Sequence, residues 1–137
     1  MRLLVLALLS VLVAFVAWDP MKPPDDEGIR SAITAQLEAF RQDDYDAAFA
    51  IAAPGIQAKY QNAEAFTNMV ALAYPQAYRP RKVAFLDLVE TDGLLLQQVL
   101  LTGPEGLDVL ALYDMVQIDG VWRINGCMLA MQPGQAV

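Results

Sequence analysis

The chain has 137 residues, 56% of them hydrophobic, and a formal net charge of -7. This length fits one domain, and the negative charge disfavours nucleic acid and anionic lipid surfaces as partners. The sequence contains no histidine and a single cysteine, Cys127. It therefore lacks the commonest general base and transition-metal ligand, and it can form neither an intramolecular disulfide nor a cysteine-based zinc site. No metal or cofactor is expected.

The first eighteen residues predict export. A short basic start precedes an almost unbroken apolar run that ends at Trp18, which is the pattern of a secretory signal. Signal peptidase prefers small residues at the last and third-last positions before the cut, but Phe15 and Leu12 occupy the third-last position of the two candidate sites. A cleaved signal peptide and an uncleaved inner-membrane anchor over residues 3–18 both stay open. We expect a periplasmic domain that touches the membrane only through this segment.

The rest of the chain divides into a linker, a domain and a tail. Residues 19–25 contain three prolines, which suppress helix and favour an extended linker. The domain is predicted over residues 26–131, and residues 132–137 form a short tail.

Three helices are predicted in the first half of the domain. Asp25 or Asp26 can cap the first helix, and Asn62 can cap the third. Pro54-Gly55 is expected to end the second helix and Tyr74-Pro75 to end the third. Apolar residues recur at helical spacing: Ile29, Ile33, Leu37 and Phe40 in the first, Tyr45, Ala48, Phe49 and Ala52 in the second, and Phe66, Met69, Val70 and Ala73 in the third.

From residue 80 onward the pattern alternates, which predicts four strands at about residues 82–91, 94–102, 107–118 and 121–129. Two of the three connections, Asp92-Gly93 and Asp119-Gly120, are Asp-Gly turns, a strong signal for tight hairpins. The sequence therefore predicts an α+β domain in which three N-terminal helices pack on one face of a curved four-stranded antiparallel sheet.

The strand register predicts a candidate pocket. If the hairpins close as two-residue and four-residue loops, Asp87 lies opposite Gln98, and Tyr113 lies one row away on the face toward the helices. Polar side chains on a core face must be paired or must line a cavity. Either these residues converge in a pocket, with Tyr45 from the helical side, or Asp87 and Gln98 form a structural hydrogen-bonded network.

The opposite face of the predicted sheet is too apolar to be left bare. We therefore expect a homodimer formed through this face, which a monomer in sedimentation at micromolar concentration would contradict. The residues expected there are Leu86, Leu88, Val99, Leu101, Leu110 and Leu112.

Several short motifs resemble the nuclear transport factor 2-like superfamily of cone-shaped domains and, within it, an exported bacterial domain-of-unknown-function family. The motifs are Ala39-Phe40, Asp43-Asp44-Tyr45, Ala48-Phe49 and the late Asp119-Gly120-Val121-Trp122-Arg123-Ile124. The resemblance covers roughly residues 27–129 and implies the cone fold. Superfamily members include ketosteroid isomerases, dehydratases, polyketide cyclases and ligand-binding domains.

Two functional hypotheses follow. The histidine of the His-Asp pair common in the resembled dehydratases and cyclases is missing here, so that chemistry does not carry over. The first hypothesis is a non-enzymatic domain that binds a small apolar ligand or an envelope protein. The alternative is a lyase or isomerase acting on a hydrophobic carbonyl compound, with Asp87 as the base and Tyr113 as the polarising donor.

Overall fold

A computed structural model describes residues 26–131 of the chain. The predicted export segment, the linker and the tail all lie outside the described residues. Over residues 26–131, no helix is both long and apolar enough to cross a membrane.

The described residues form five helices: α1 (Asp26–Arg41), α2 (Tyr45–Ile51), α3 (Pro54–Tyr60), α4 (Ala63–Ala73) and α5 (Pro75–Tyr78). The three predicted helices correspond to α1, α2 and α4. Pro54 and Pro75 were expected only to end the preceding helices. In the structure each also occupies the start of a further short helix. Proline is well accommodated there since its missing N–H would have no partner inside the helix.

The second half is one antiparallel sheet of four strands in the order β1-β2-β3-β4. The strands are β1 (Lys82–Thr91), β2 (Leu94–Thr102), β3 (Asp108–Ile118) and β4 (Val121–Met131). Both Asp-Gly turns have positive φ at their two residues, including 48° at Asp92 and 77° at Gly93, as a tight type I′ hairpin requires. The predicted α+β class, with helices packed on an antiparallel sheet, is confirmed.

The predicted register of the sheet is wrong in three places. The β2–β3 loop holds five residues, since Thr102 pairs with Asp108 and Gly106 adopts φ 83°. A bulge interrupts the β1–β2 pairing between Phe85 and Leu88. A second irregularity interrupts the β3–β4 pairing beside Asn125 on β4. Because side chains alternate along a strand, a slip of one residue moves them to the opposite face.

Buried side chains form two clusters. The first joins α1 to the sheet and includes Ile29, Ile33, Val99 and Leu101. The second lies among the helices and includes Phe40 and Phe66, whose ring centroids are 6.1 Å apart. The α2–α3 junction is tied to β4 by the Ala53 amide, which donates to the Ile124 carbonyl at 2.8 Å. This contact fixes the end of the helical layer over β4, where the cavity described below opens.

Candidate functional site

A cavity of about 230 Å³ lies between the helices and β4. It is larger than the roughly 150 Å³ engineered cavity that binds benzene in another protein, but smaller than the roughly 300–1,000 Å³ typical of drug-sized ligand sites. Its wall is mainly aromatic and aliphatic. The lining residues are Gln36, Phe40, Ala52, Ile56, Lys59, Tyr60, Phe66, Met69, Val70, Tyr74, Ala77, Tyr113, Ile124, Asn125, Gly126 and Cys127.

Tyr113 is the polar side chain of the β3 wall. Its residue is only 2% exposed, and its hydroxyl group is buried without a hydrogen-bond partner among the described residues. Burial raises the pKa of the Tyr113 phenol well above its ordinary value of 10, and the neighbouring Cys127 thiol adds to the effect. The group therefore stays protonated at physiological pH and can both donate and accept a hydrogen bond.

Cys127 lies directly across the β3–β4 ladder from Tyr113 and also lines the cavity. Burial raises the pKa of its thiol to about 12. At neutral pH the thiol is therefore uncharged and a weak nucleophile, since the thiolate is the reactive form. Neither Tyr113 nor Cys127 carries a charge into the interior of the cavity.

Gln36 contributes an amide from the buried face of α1, where the residue is 5% exposed. Its Nε2 donates to the Ala48 carbonyl at 3.1 Å. This bond fixes the side chain between α1 and α2, so that the amide forms a rigid polar point in a mainly apolar wall.

The polar groups at the rim are Lys59, at the end of α3, and Asn125, at the β4 irregularity, both of them exposed. The ammonium of Lys59 lies 5.3 Å from the centroid of the Tyr60 ring. The amide of Asn125 donates to the Asp114 carboxylate at 3.2 Å. The extra residue in β4 turns Asn125 toward the opening, as bulges do when they redirect a side chain.

The structure places the predicted pocket residues in different environments. Tyr113 lines the cavity, but the expectation that Asp87 and Gln98 face the interior is wrong. Asp87 falls at the β1 bulge and is exposed, while the five-residue β2–β3 loop turns Gln98 outward and places Gln97 inward. Tyr45 is 37% exposed and outside the cavity, and the Asp43 carboxylate, followed by Tyr78, raises its pKa.

The predicted dimer face changes for the same reason. Val99 and Leu101 are fully buried in the core, and Leu88 packs against the same core cluster, so these three residues do not form an outer face. Leu110 and Leu112 alternate with the buried Ala111 and Tyr113 of β3 and point away from the helices. A further predicted member, Leu86, is 42% exposed at the β1 bulge.

Sequence reasoning missed several residues that the structure makes important. Gln36 follows Ile33 by three positions and precedes Phe40 by four, so the helical period already placed this amide on the buried stripe. Gln97 is 1% exposed, and only the true loop length reveals its orientation. The residues around Asn125 do not indicate that its side chain lies at the opening, because its position depends on the irregularity in β4.

No group of three or more potential metal-ligating carboxylate or cysteine residues occurs within residues 26–131. The part of the cavity wall that these residues form also contains no carboxylate. The donors present, which are amides, phenols, a thiol and one lysine, offer no recognisable set for a hard divalent cation.

Comparisons with known proteins give a family but no activity. Residues 22–137 match the family described as a domain of unknown function, DUF4864. A crystal structure of an NTF-2 like protein of unknown function from Burkholderia xenovorans LB400 is 19% identical, with a TM-score of 0.43 over 79% of this chain and 89% of that chain. A search of the curated proteins found no match.

Proposed function

Because the chain belongs to the domain-of-unknown-function family DUF4864, whose description assigns no activity, we propose a function from the site itself: the domain binds a small, largely apolar ligand in the cavity between the helices and β4. The observation that carries this proposal concerns Tyr113, a residue of the apolar cavity wall, whose hydroxyl is buried and has no hydrogen-bond partner within residues 26–131. An orphaned buried hydroxyl costs about 1–3 kcal/mol. A ligand that hydrogen-bonds this group would offset that cost.

The cavity supports binding better than catalysis. The alternative lyase or isomerase required Asp87 and Tyr113 to face one point, but Asp87 is exposed and does not line the cavity. Among the lining residues that the structure describes, no carboxylate replaces it. Without a base close to the polarising phenol, proton abstraction from a bound carbonyl compound lacks its first participant.

The ligand test compares phenol with toluene, which have the same shape but differ in one hydroxyl. We expect Tyr113→Phe to weaken the binding of phenol relative to toluene by about threefold to tenfold, since a net hydrogen bond contributes about 0.5–1.5 kcal/mol. Both dissociation constants can be measured by NMR titration.

A matched control is Thr67→Val, which also removes a buried unpartnered hydroxyl but from a residue outside the cavity wall. It should leave the phenol-to-toluene ratio unchanged. The proposal fails if neither compound binds the wild-type protein, or if Tyr113→Phe and Thr67→Val have the same effect on the ratio.

We also propose that the domain is exported and works as a homodimer in the bacterial periplasm. The apolar start of the chain supports export. The corrected outer face of the sheet still presents Leu110 and Leu112, with Met128 of β4 55% exposed beside them. Such a row of apolar side chains favours contact with a second copy.

This assembly can be tested by sedimentation and native mass spectrometry. The protein for both is purified from the envelope of the cells that naturally produce it. We expect a dimer at micromolar concentration that Leu112→Glu converts to monomer, because the change places two like charges in an apolar interface. Thr34→Glu, on the exposed face of α1, is the control and should leave the dimer intact. A wild-type monomer would contradict the proposal, and the mass of the chain shows whether the start is cleaved.

A further inference from the structure

We propose that the ligand of this cavity is a small monocarboxylic acid, held with its carboxylate at Lys59 on the rim and its apolar body inside. This inference rests on the proposed ligand-binding function and adds the chemical class of the ligand. The distribution of charge around the opening and along the cavity wall supports this ligand class.

Among the described residues that line the cavity, Lys59 is the single charged side chain. The whole chain has 16 acidic and 9 basic residues, so an opening with a positive charge and no lining carboxylate runs against the overall composition. A cavity bordered by one sign of charge concentrates ligands of the opposite sign. The charge pattern therefore favours an anion.

The Lys59 ammonium is available for such an anion. Within residues 26–131 no carboxylate forms an ion pair with it, and its described contact is with the face of the Tyr60 ring, at 5.3 Å. Tyr60 also lines the cavity. The ammonium and the ring that it contacts thus belong to two residues that both line the cavity.

Asn125 supplies a second donor at the rim. Its amide already donates to the Asp114 carboxylate at 3.2 Å, and an amide NH₂ has two protons. The second proton can bond a ligand carboxylate. Asp114 does not line the cavity, but its carboxylate next to Asn125 repels a ligand anion, and this repulsion is about twice as strong for a doubly charged ligand. The proposal is therefore limited to a single carboxylate, which Lys59 attracts.

The uncharged interior of the cavity favours a ligand whose carboxylate stays at the rim. The polar groups of the inner wall are the neutral Tyr113 phenol, Cys127 thiol and Gln36 amide, and the rings of Phe40 and Phe66 line the same cavity. An unpaired carboxylate among them would lose its hydration without an opposite charge. A neutral hydroxyl or carbonyl at the far end of the ligand could instead bond Tyr113. At about 230 Å³, the interior has room for one ring.

The probes are 4-hydroxybenzoate and 4-hydroxybenzyl alcohol, which share a ring and a distal hydroxyl and differ in charge. Calorimetric titration of the full chain should show tighter binding of the carboxylate. Lys59→Gln should weaken the carboxylate by about threefold to tenfold, as for a partly solvated ion pair, and leave the alcohol within twofold. Added salt should weaken the carboxylate alone.

Lys82→Gln is the matched control, because Lys82 is an exposed lysine outside the cavity wall, and it should change neither affinity. Thermal unfolding of each variant separates loss of binding from loss of fold. If both probes bind equally well, or if Lys59→Gln weakens them equally, the monocarboxylate assignment is overturned while ligand binding stands. If neither probe binds wild-type protein and phenol also does not, the proposed function itself falls.

Discussion

Replacing Gln97 by glutamate is expected to destabilise the fold by about 3–5 kcal/mol at pH 7.5, the cost of a buried charge left without a partner. The Gln97 side chain is almost fully buried, and its Nε2 donates to the backbone carbonyls of Leu86 at 3.1 Å and Gln98 at 2.9 Å. It also lies 3.4 Å from the Asp87 carbonyl. These bonds hold the β1 bulge against β2. An ionised carboxylate there would face carbonyl oxygens instead of donating to them.

The destabilisation should depend on pH in a defined direction. Burial and the facing carbonyl oxygens favour the neutral acid, so the pKa of the introduced carboxyl should rise in the folded state above its unfolded value of about 4.3. The neutral acid is compatible with the fold below that unfolded pKa, and the variant loses stability as pH rises toward the folded pKa. The slope is at most about 1.4 kcal/mol per pH unit.

Urea unfolding of wild-type and variant protein at pH 5 and pH 7.5 measures the difference. Gln98→Glu is the control, because the neighbouring side chain points to the other face of β2 and is partly exposed. It should change stability by no more than about 0.5 kcal/mol. Equal losses for the two variants, or a Gln97→Glu loss that does not grow with pH, would show that Gln97 does not hold the bulge.

The order of elements was predictable because strong local signals fix it. Asp92-Gly93 and Asp119-Gly120 adopt the positive φ values that their hairpins need, and Asn62 caps α4 by accepting from the Ala65 amide at 2.8 Å. Each signal acts within a few residues of its own position. The sequence therefore located α1, α2, α4 and the four strands without reference to the rest of the fold, but not the short helices α3 and α5.

The faces of the sheet were not predictable, because they depend on single inserted residues. Gly103-Pro104-Glu105-Gly106 reads as a four-residue loop, but the Gly103 amide donates to the Leu107 carbonyl and includes Leu107 in the loop. This one additional loop residue means that Gln97, and not the predicted Gln98, lies on the face of β2 toward the helices. The β1 bulge then removed Asp87 from the interior. Nothing in the local composition distinguishes these positions from regular strand.

The buried face of β3 was predictable because the strand has no inserted residue around Tyr113. Ala111, Tyr113 and Met115 alternate without interruption and are all buried. The irregularity in the β3–β4 pairing inserts one residue in β4 and none in β3. The alternating pattern therefore predicts the orientation of a side chain on the regular strand. It does not predict the orientation of side chains on strands with irregularities.

Truncating Phe66 to alanine is expected to cost about 3–5 kcal/mol and to enlarge the cavity. Phe66 is 5% exposed, and its ring lies within 6.1 Å of Phe40, 5.5 Å of Phe49 and 5.9 Å of Tyr60, centroid to centroid. It joins the aromatic cluster of the helices to the cavity wall. Removing a buried ring loses its transfer free energy and leaves empty volume that the neighbours fill only in part.

The enlarged cavity should then accept a two-ring compound. Indole should raise the unfolding temperature of Phe66→Ala more than that of wild-type protein, because a ligand that binds only the folded state stabilises it more the tighter it binds, by about 2.7 kcal/mol at one hundred times its dissociation constant. Phe49→Ala is the control. Phe49 contacts Phe66 but is half-buried and outside the wall, so its truncation should cost less and leave the effect of indole at the wild-type level. Equal stabilisation of all three proteins by indole would mean that Phe66 does not bound the ligand space, and the cavity would have to be closed by other residues.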